Sequence, residues 1–170
     1  MKFITPCLAI LLVLMVSSCN AEITGTVVDA ETGRPIEGAV VLIQWTKTKG
    51  MPGMTHHEVH KVIEMETLRN GEFSVSEIIN PLVNNPEIVI YKESYVAWRN
   101  DIIFPSWQVR KDFKLSKDMV IKLEKFKASL SRYDHYGFLI HGIIGANNEL
   151  TPKFSKTSND ELKKALYEKK

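Results

Sequence analysis

The densest group of ligand-type side chains in the sequence is His56-His57-Glu58-Val59-His60, with Met51 and Met54 just upstream. The zinc-protease motif needs His-Glu-x-x-His on a helix, so that both imidazoles share a face. Here the second His follows one residue too early. On a strand, however, His56, Glu58 and His60 project from one side at period two. Thioether and imidazole donors in an exported chain suit copper better than zinc. The candidate metal set is therefore His56, His57, Glu58, His60, Met51 and Met54. The competing reading is a polar, solvated strand end beside a loop.

Two tryptophans, Trp98 and Trp107, flank Arg99-Asn100-Asp101 and form a candidate platform for sugar or peptide, since aromatic side chains are enriched at interfaces. Equally, such rings fill cores or pack under loops. Arg110, Lys111, Lys114 and Lys117 are a candidate surface for anionic headgroups, weighed against a simple solvated face. The sequence contains no Ser in a nucleophile elbow and no phosphate-binding glycine loop. His135 and His141 lie near Asp134, but a helical reading sets His141 among apolar neighbours as a structural residue. No catalytic residue is assigned, no cofactor is called for, and a hydrolase stands only as a distant third reading.

The chain opens with Lys2, a nine-residue apolar run Leu8 to Val16, and Ser17-Ser18-Cys19. That order is a secretory leader, and the run is short for a membrane span. Val16-Ser17-Ser18-Cys19 resembles a bacterial lipobox, which implies cleavage after residue 18 and lipidation of Cys19. Of the two cysteines, Cys7 falls inside the leader, so the mature chain has one Cys and no internal disulfide. More than one acyl chain is needed for stable anchoring, and a lipobox Cys carries them, palmitate among them. Asn20 after the Cys implies sorting to the outer membrane, periplasmic face, rather than retention at the inner membrane. The 22 basic residues less Lys2 leave 21 against 20 acidic ones, a balance that does not call for nucleic acid.

The elements behind these candidates read as short strands. Ile23 to Val28 and Ala39 to Ile43 are β-branched runs joined by Asp29-Ala-Glu-Thr-Gly-Arg-Pro35, which holds an Asp for a turn, a Gly for positive φ and a Pro with fixed φ. Gln44 to Thr46 extends the second strand, and residues 47–55, with Gly50 and Pro52-Gly53, read as a loop. Glu58 to Leu68 reads as a strand with Val59, Ile63, Met65 and Thr67 on one face and Glu64 and Glu66 in solvent. Asn70-Gly71 suits a type I′ hairpin turn. Further strands fall at Glu87 to Tyr91, Tyr95 to Trp98, Trp107 to Leu115 and Met119 to Leu123. Beyond Phe126 the spacing of Tyr136, Ile140, Ile143 and Ile144 predicts a helix ended by Gly145. Residues 147–157 read as loop. Ser158-x-x-Glu161 predicts a capping box opening a last helix with Leu162, Ala165 and Leu166 as its stripe.

These residues resemble the carboxypeptidase regulatory-like domain, a transthyretin-like fold. The match lies in Gly25-x-Val27-x-Asp29-x-x-Thr32-Gly33-x-Pro35-Ile36-x-Gly38-Ala39-x-Val41, in Thr67-x-x-Asn70-Gly71-x-Phe73, and in the Ile88 to Tyr91 and Ile121 to Leu123 runs, with Ser94-Tyr95 where the family carries Gly-Tyr. The resemblance implies an all-β, seven-strand antiparallel β-sandwich that is the non-catalytic companion of an enzyme elsewhere. The expected organisation is a lipoprotein signal peptide over 1–18, the sandwich over 19–126 and a helical C-terminal extension over 127–170. The function expected is a membrane-anchored, non-enzymatic binding or structural module of the cell envelope with a protein or glycan partner. A copper-binding protein using the His/Met cluster is the alternative.

Overall fold

The computed structural model describes residues 22–76, 78 and 80–168. The leader and the candidate lipidation site Cys19 lie outside the described residues. Nine strands and two helices are present among them. They are β1 (Glu22–Asp29), β2 (Val40–Met51), β3 (Met54–Glu66), β4 (Glu72–Ser76), β5 (Glu87–Tyr91), β6 (Trp98–Arg99), β7 (Ile102–Ile103), β8 (Gln108–Val109), β9 (Met119–Leu123), α1 (Arg132–Ile140) and α2 (Pro152–Glu168). The strands form sheets of order β4-β1-β9 and β3-β2-β5-β6, with β7 and β8 as a separate pair.

Two of the expectations are corrected here. The sequence predicts seven strands, and the described residues form nine, in three sheets. It also predicts an antiparallel arrangement, yet β1 and β9 run parallel, Gly25 opposite Met119 through Asp29 opposite Leu123. Such a pair joins the two ends of the β region, and no local turn signal can announce it.

The β1 strand alternates as its sequence asks, with Ile23 and Val27 turned inward and Thr24 and Thr26 partly exposed. The turn after it is built by Asp29, whose Oδ1 accepts the backbone amides of Glu31 and Thr32 at 3.0 and 2.8 Å. The Thr32 amide, with smaller help from the Tyr95 hydroxyl and the Thr32 hydroxyl, overcomes the opposing effect of burial and holds the Asp29 carboxyl at about 2. The second tight turn departs from the type I′ expectation. Gly71 has φ +76, but Asn70 is not in the left-handed region. The Gly71 amide donates to Leu68 O at 2.8 Å, and the Leu68 amide to Glu72 O at 2.9 Å. That is a three-residue loop closed by a glycine bulge.

Residues 40–43 of β2 and 88–91 of β5 read as unbroken apolar runs because both faces are covered there. On one face Val41, Ile43, Trp45, Ile88 and Ile90 meet Ile23, Val27, Phe73 and Ile121 of the three-stranded sheet. On the other, Val40, Leu42, Val89 and Tyr91 meet Phe138, Leu139 and Phe154 of the helices. Side chains of this size stabilise by about 1.5–3 kcal/mol each when buried. The helical segment therefore shares a core with the sheet.

The helix boundaries and faces differ from the sequence expectation. Ser131 caps α1, its side chain accepting the Asp134 amide at 3.2 Å. The helix stops at Ile140, before Gly142 at φ +69. Its buried residues are His135, Phe138 and Leu139. The last helix starts at Pro152, with Thr151 O accepting the Ser155 amide at 2.9 Å. Ser158 is therefore inside the helix, not at its cap. The buried stripe is Phe154, Ser158, Glu161 and Ala165, whereas Leu166 is exposed. The strand expected over Tyr95 to Trp98 reduces to Trp98–Arg99, and that over Trp107 to Leu115 to Gln108–Val109.

Candidate functional site

Residues 47–55 are not a loop. β2 and β3 stay paired out to Met51 opposite Met54, making a two-stranded ribbon closed by Pro52-Gly53. Its side chains are largely exposed. Asn84 buttresses the root: its amide nitrogen Nδ2 lies 3.0 Å from Thr46 Oγ1, 3.2 Å from Thr48 Oγ1 and 3.3 Å from His57 Nδ1.

The ribbon divides the histidines. The register passes from Trp45 opposite Lys61 to Thr46 opposite Val59, which leaves His60 as the extra residue of a bulge. A bulge shifts the alternation, so the shared face expected for His56, Glu58 and His60 is interrupted, and Val59 leaves the face of Ile63 and Met65. His57 faces Asn84, Thr46 and Thr48. Glu58 is on the other face, 3.4 Å from Lys49. Among the described residues no group of three or more His, Cys, Asp or Glu side chains is placed to hold a metal ion.

The most concentrated polar chemistry lies on the helix side, centred on residues that no spacing or motif joins. Glu161 Oε2 accepts the Tyr91 hydroxyl at 2.9 Å, and Oε1 lies 2.9 Å from His135 Nδ1 and 3.3 Å from Arg132 Nη1. His135 Nε2 accepts the Ala97 amide at 2.8 Å, which places the ring proton on Nδ1, facing the carboxylate. Burial acts to raise the Glu161 carboxyl, but the bonds from His135 and Tyr91 and the charge of Arg132 outweigh it and hold the group below the usual range. The Tyr91 hydroxyl is pushed up strongly, by burial first and by the Glu161 carboxylate second. An imidazole that accepts a backbone amide and donates to a saturated carboxylate has no free nitrogen for a substrate. This cluster docks helices onto a sheet.

A cleft of about 550 Å³ adjoins it, with Val40, Tyr91 and Glu161 among its lining residues. Its lysines are mostly engaged: Lys153 with Glu66 at 2.5 Å, Lys164 with Glu93 at 2.5 Å, and Lys92 with the carbonyl of Glu37 at 2.8 Å. Glu66 is exposed as expected, whereas Glu64 is half-buried against the start of α2, where it accepts the Lys153 and Phe154 amides.

A third polar group joins the ends of the helical segment to the sheet. Arg99 is fully buried and holds Asp101 through Nε and Nη2 at 2.8 and 2.9 Å, and its Nη1 donates to His141 O. Burial would raise the Asp101 carboxyl, but the Arg99 contacts bring it below its ordinary value. Trp98 packs edge-on against Phe113 at 5.1 Å, under the Arg110 guanidinium at 5.0 Å. Trp107 packs on Phe138 and His141 at 5.6 and 5.3 Å. The two rings thus belong to different clusters. His141, expected as a structural histidine among apolar neighbours, is instead exposed at the end of α1 with Trp107 against its ring, and the buried structural histidine is His135. Arg110 is also tied to the Arg99 carbonyl at 2.7 Å, whereas Lys111, Lys114 and Lys117 are exposed.

No protein-family pattern matches this sequence, and no curated protein matches it. Among solved structures, the group B streptococcus pilus 2b backbone protein is similar to part of the chain, with a TM-score of 0.38 and 13% identity over 62% of this chain and 41% of that one. The chain spans about two fifths of that protein's length. A likeness of this extent leaves function to the geometry of the site.

Proposed function

We propose that the chain is a non-enzymatic module of the bacterial cell envelope, anchored by lipid at Cys19 to the periplasmic face of the outer membrane, which engages a protein or glycan partner. In this reading residues 19–126 are a carboxypeptidase regulatory-like sandwich, the non-catalytic companion that the sequence resemblance implies. The observation that carries it is where the polar chemistry goes. Glu161, His135, Arg99 and Asp29, the buried groups most able to do chemistry, are bonded to the protein itself. The exposed β2–β3 ribbon, by contrast, extends beyond the sheets and presents Met51, Met54 and Thr55 to a partner.

The test has two arms. Mass spectrometry of the mature N-terminus should show an acylated Cys19, and Cys19→Ala should leave uncleaved precursor. A photo-crosslinker at Thr55, read in intact envelopes, should give one defined adduct that is absent when it is placed at Lys163 on α2. An unmodified mature N-terminus starting elsewhere would sink the anchoring. The same adducts from both positions would sink the ribbon as the contact surface.

A further inference from the structure

The ribbon tip sets two thioethers side by side. Met51 is directly opposite Met54, and the two side chains are 72% and 79% exposed. Opposed residues of an antiparallel pair share a face, with Cα atoms about 4.5–5.5 Å apart. Two residues along β3 the side chain of His56 returns to that face, diagonal to Met51, where Cβ atoms are about 7–8 Å apart or less.

This register is specified by the backbone. Gly50 has φ +109, and a Cβ there would lie 2.2 Å from the Met54 carbonyl oxygen, so no side chain fits. Gly53, at φ +86, supplies the left-handed residue of the turn. The other candidate donors lie on the far face, at the bulge or, for Glu58 on the His56 face, in an ion pair. His57 is on the opposite face beside Asn84 at 3.3 Å, His60 sits at the bulge, and Glu58 is 3.4 Å from Lys49, whose charge it offsets.

We propose that Met51, Met54 and His56 form a Cu(I) site at the ribbon tip, with two thioether sulfurs and one imidazole nitrogen as ligands. Soft sulfur donors select Cu(I), and this set has no thiolate or carboxylate to favour zinc or the hard cations. Three rotatable bonds in each Met let the sulfurs swing over the turn toward His56 without backbone movement. The ion binds and leaves as Cu(I), so no electron transfer is involved. The site is independent of the anchoring at Cys19, and failure of either leaves the other standing.

The experiment is a competition titration of Cu(I) against a chromophoric chelator, without oxygen. It uses the full chain in mild detergent with Cys7→Ser and Cys19→Ser, so that no thiol competes. One ion per chain is expected. Met51→Leu with Met54→Leu, and separately His56→Ala, should weaken binding by more than about 100-fold, since even outer-shell substitutions cost 10–100-fold. His57→Ala with His60→Ala should change it less than about threefold, because neither residue is a ligand. All these positions are exposed, so unchanged circular dichroism certifies the fold of each variant. Wild-type binding no tighter than that of a chain lacking all three ligands overturns the proposal. So does an equal loss in the His57/His60 variant.

Discussion

His135 Nδ1 lies 2.9 Å from Glu161 Oε1, and neither side chain meets solvent. The pair ties α1 to α2, and Tyr91 ties the same carboxylate to β5. Removing the imidazole would leave a buried carboxylate with less support and the Ala97 amide without its acceptor. His135→Ala should therefore cost about 2–4 kcal/mol, given about 1–3 kcal/mol for each buried group left without a partner. Denaturant unfolding measures it, and a loss below about 1 kcal/mol would mean that the cluster does not hold the helices.

The same carboxylate gives the stability a pH dependence of defined sign. The Glu161 carboxyl is held below its ordinary range in the folded chain, its hydrogen bonds and Arg132 outweighing burial. Its contribution is fully present above the unfolded value of about 4.3 and is lost as pH falls through the lower folded value. Glu161→Gln should lower stability at neutral pH and flatten the acid limb below about pH 5. An acid limb of unchanged slope would assign the effect to other carboxylates, Asp29 first.

Glu64 caps a helix from a neighbouring strand. Its Oε1 accepts the Lys153 amide at 3.1 Å and its Oε2 the Phe154 amide at 2.5 Å. Those amides belong to the first turn of α2, where no intrahelical partner exists and negative charge meets the positive end of the dipole. Glu64→Ala should cost about 1–2 kcal/mol and lower hydrogen-exchange protection at Phe154. Glu66 pairs with the Lys153 ammonium at the surface, so Glu66→Ala should cost under about 1 kcal/mol. Equal losses in the two variants would show that the charge matters and the cap does not.

What could be read in the sequence was local. The Asp29 to Pro35 turn, the β-branched runs and the positive φ of Gly71 each follow from neighbours in the chain, and the first core is built from them. The bulge at His60 was hidden, because an inserted residue leaves no mark in an alternating pattern that continues on either side. The helix faces were misread for a related reason. Their buried stripes include His135, Ser158 and Glu161, which an apolar count places outside, and only the tertiary partners reverse that. The start of α2 does carry a local signal: Thr151-Pro152 is a cap-type residue followed by Pro at the first helical position. It marks the true start of α2, six residues before Ser158.

Gln44 is fully buried in the middle of β2, on the face covered by the segment after α1. Its Oε1 accepts the Ile144 and Gly145 amides at 3.0 and 2.7 Å, and its Nε2 donates to Gly142 O at 3.0 Å. Gly145 is pressed onto the sheet there, and a Cβ would come within 2.5 Å of Val62 and 3.0 Å of Val59. One side chain thus closes three backbone groups of a segment with no strand of its own. Gln44→Leu keeps the volume and leaves two amides and a carbonyl unpaired, a cost of about 2 kcal/mol or more given 1–3 kcal/mol for each buried unsatisfied group. Hydrogen exchange at Ile144 and Gly145 should quicken before the Val41 and Ile43 amides respond, since the strand ladder is untouched. If the strand amides quicken equally, Gln44 supports the whole sheet and the local clamp is ruled out.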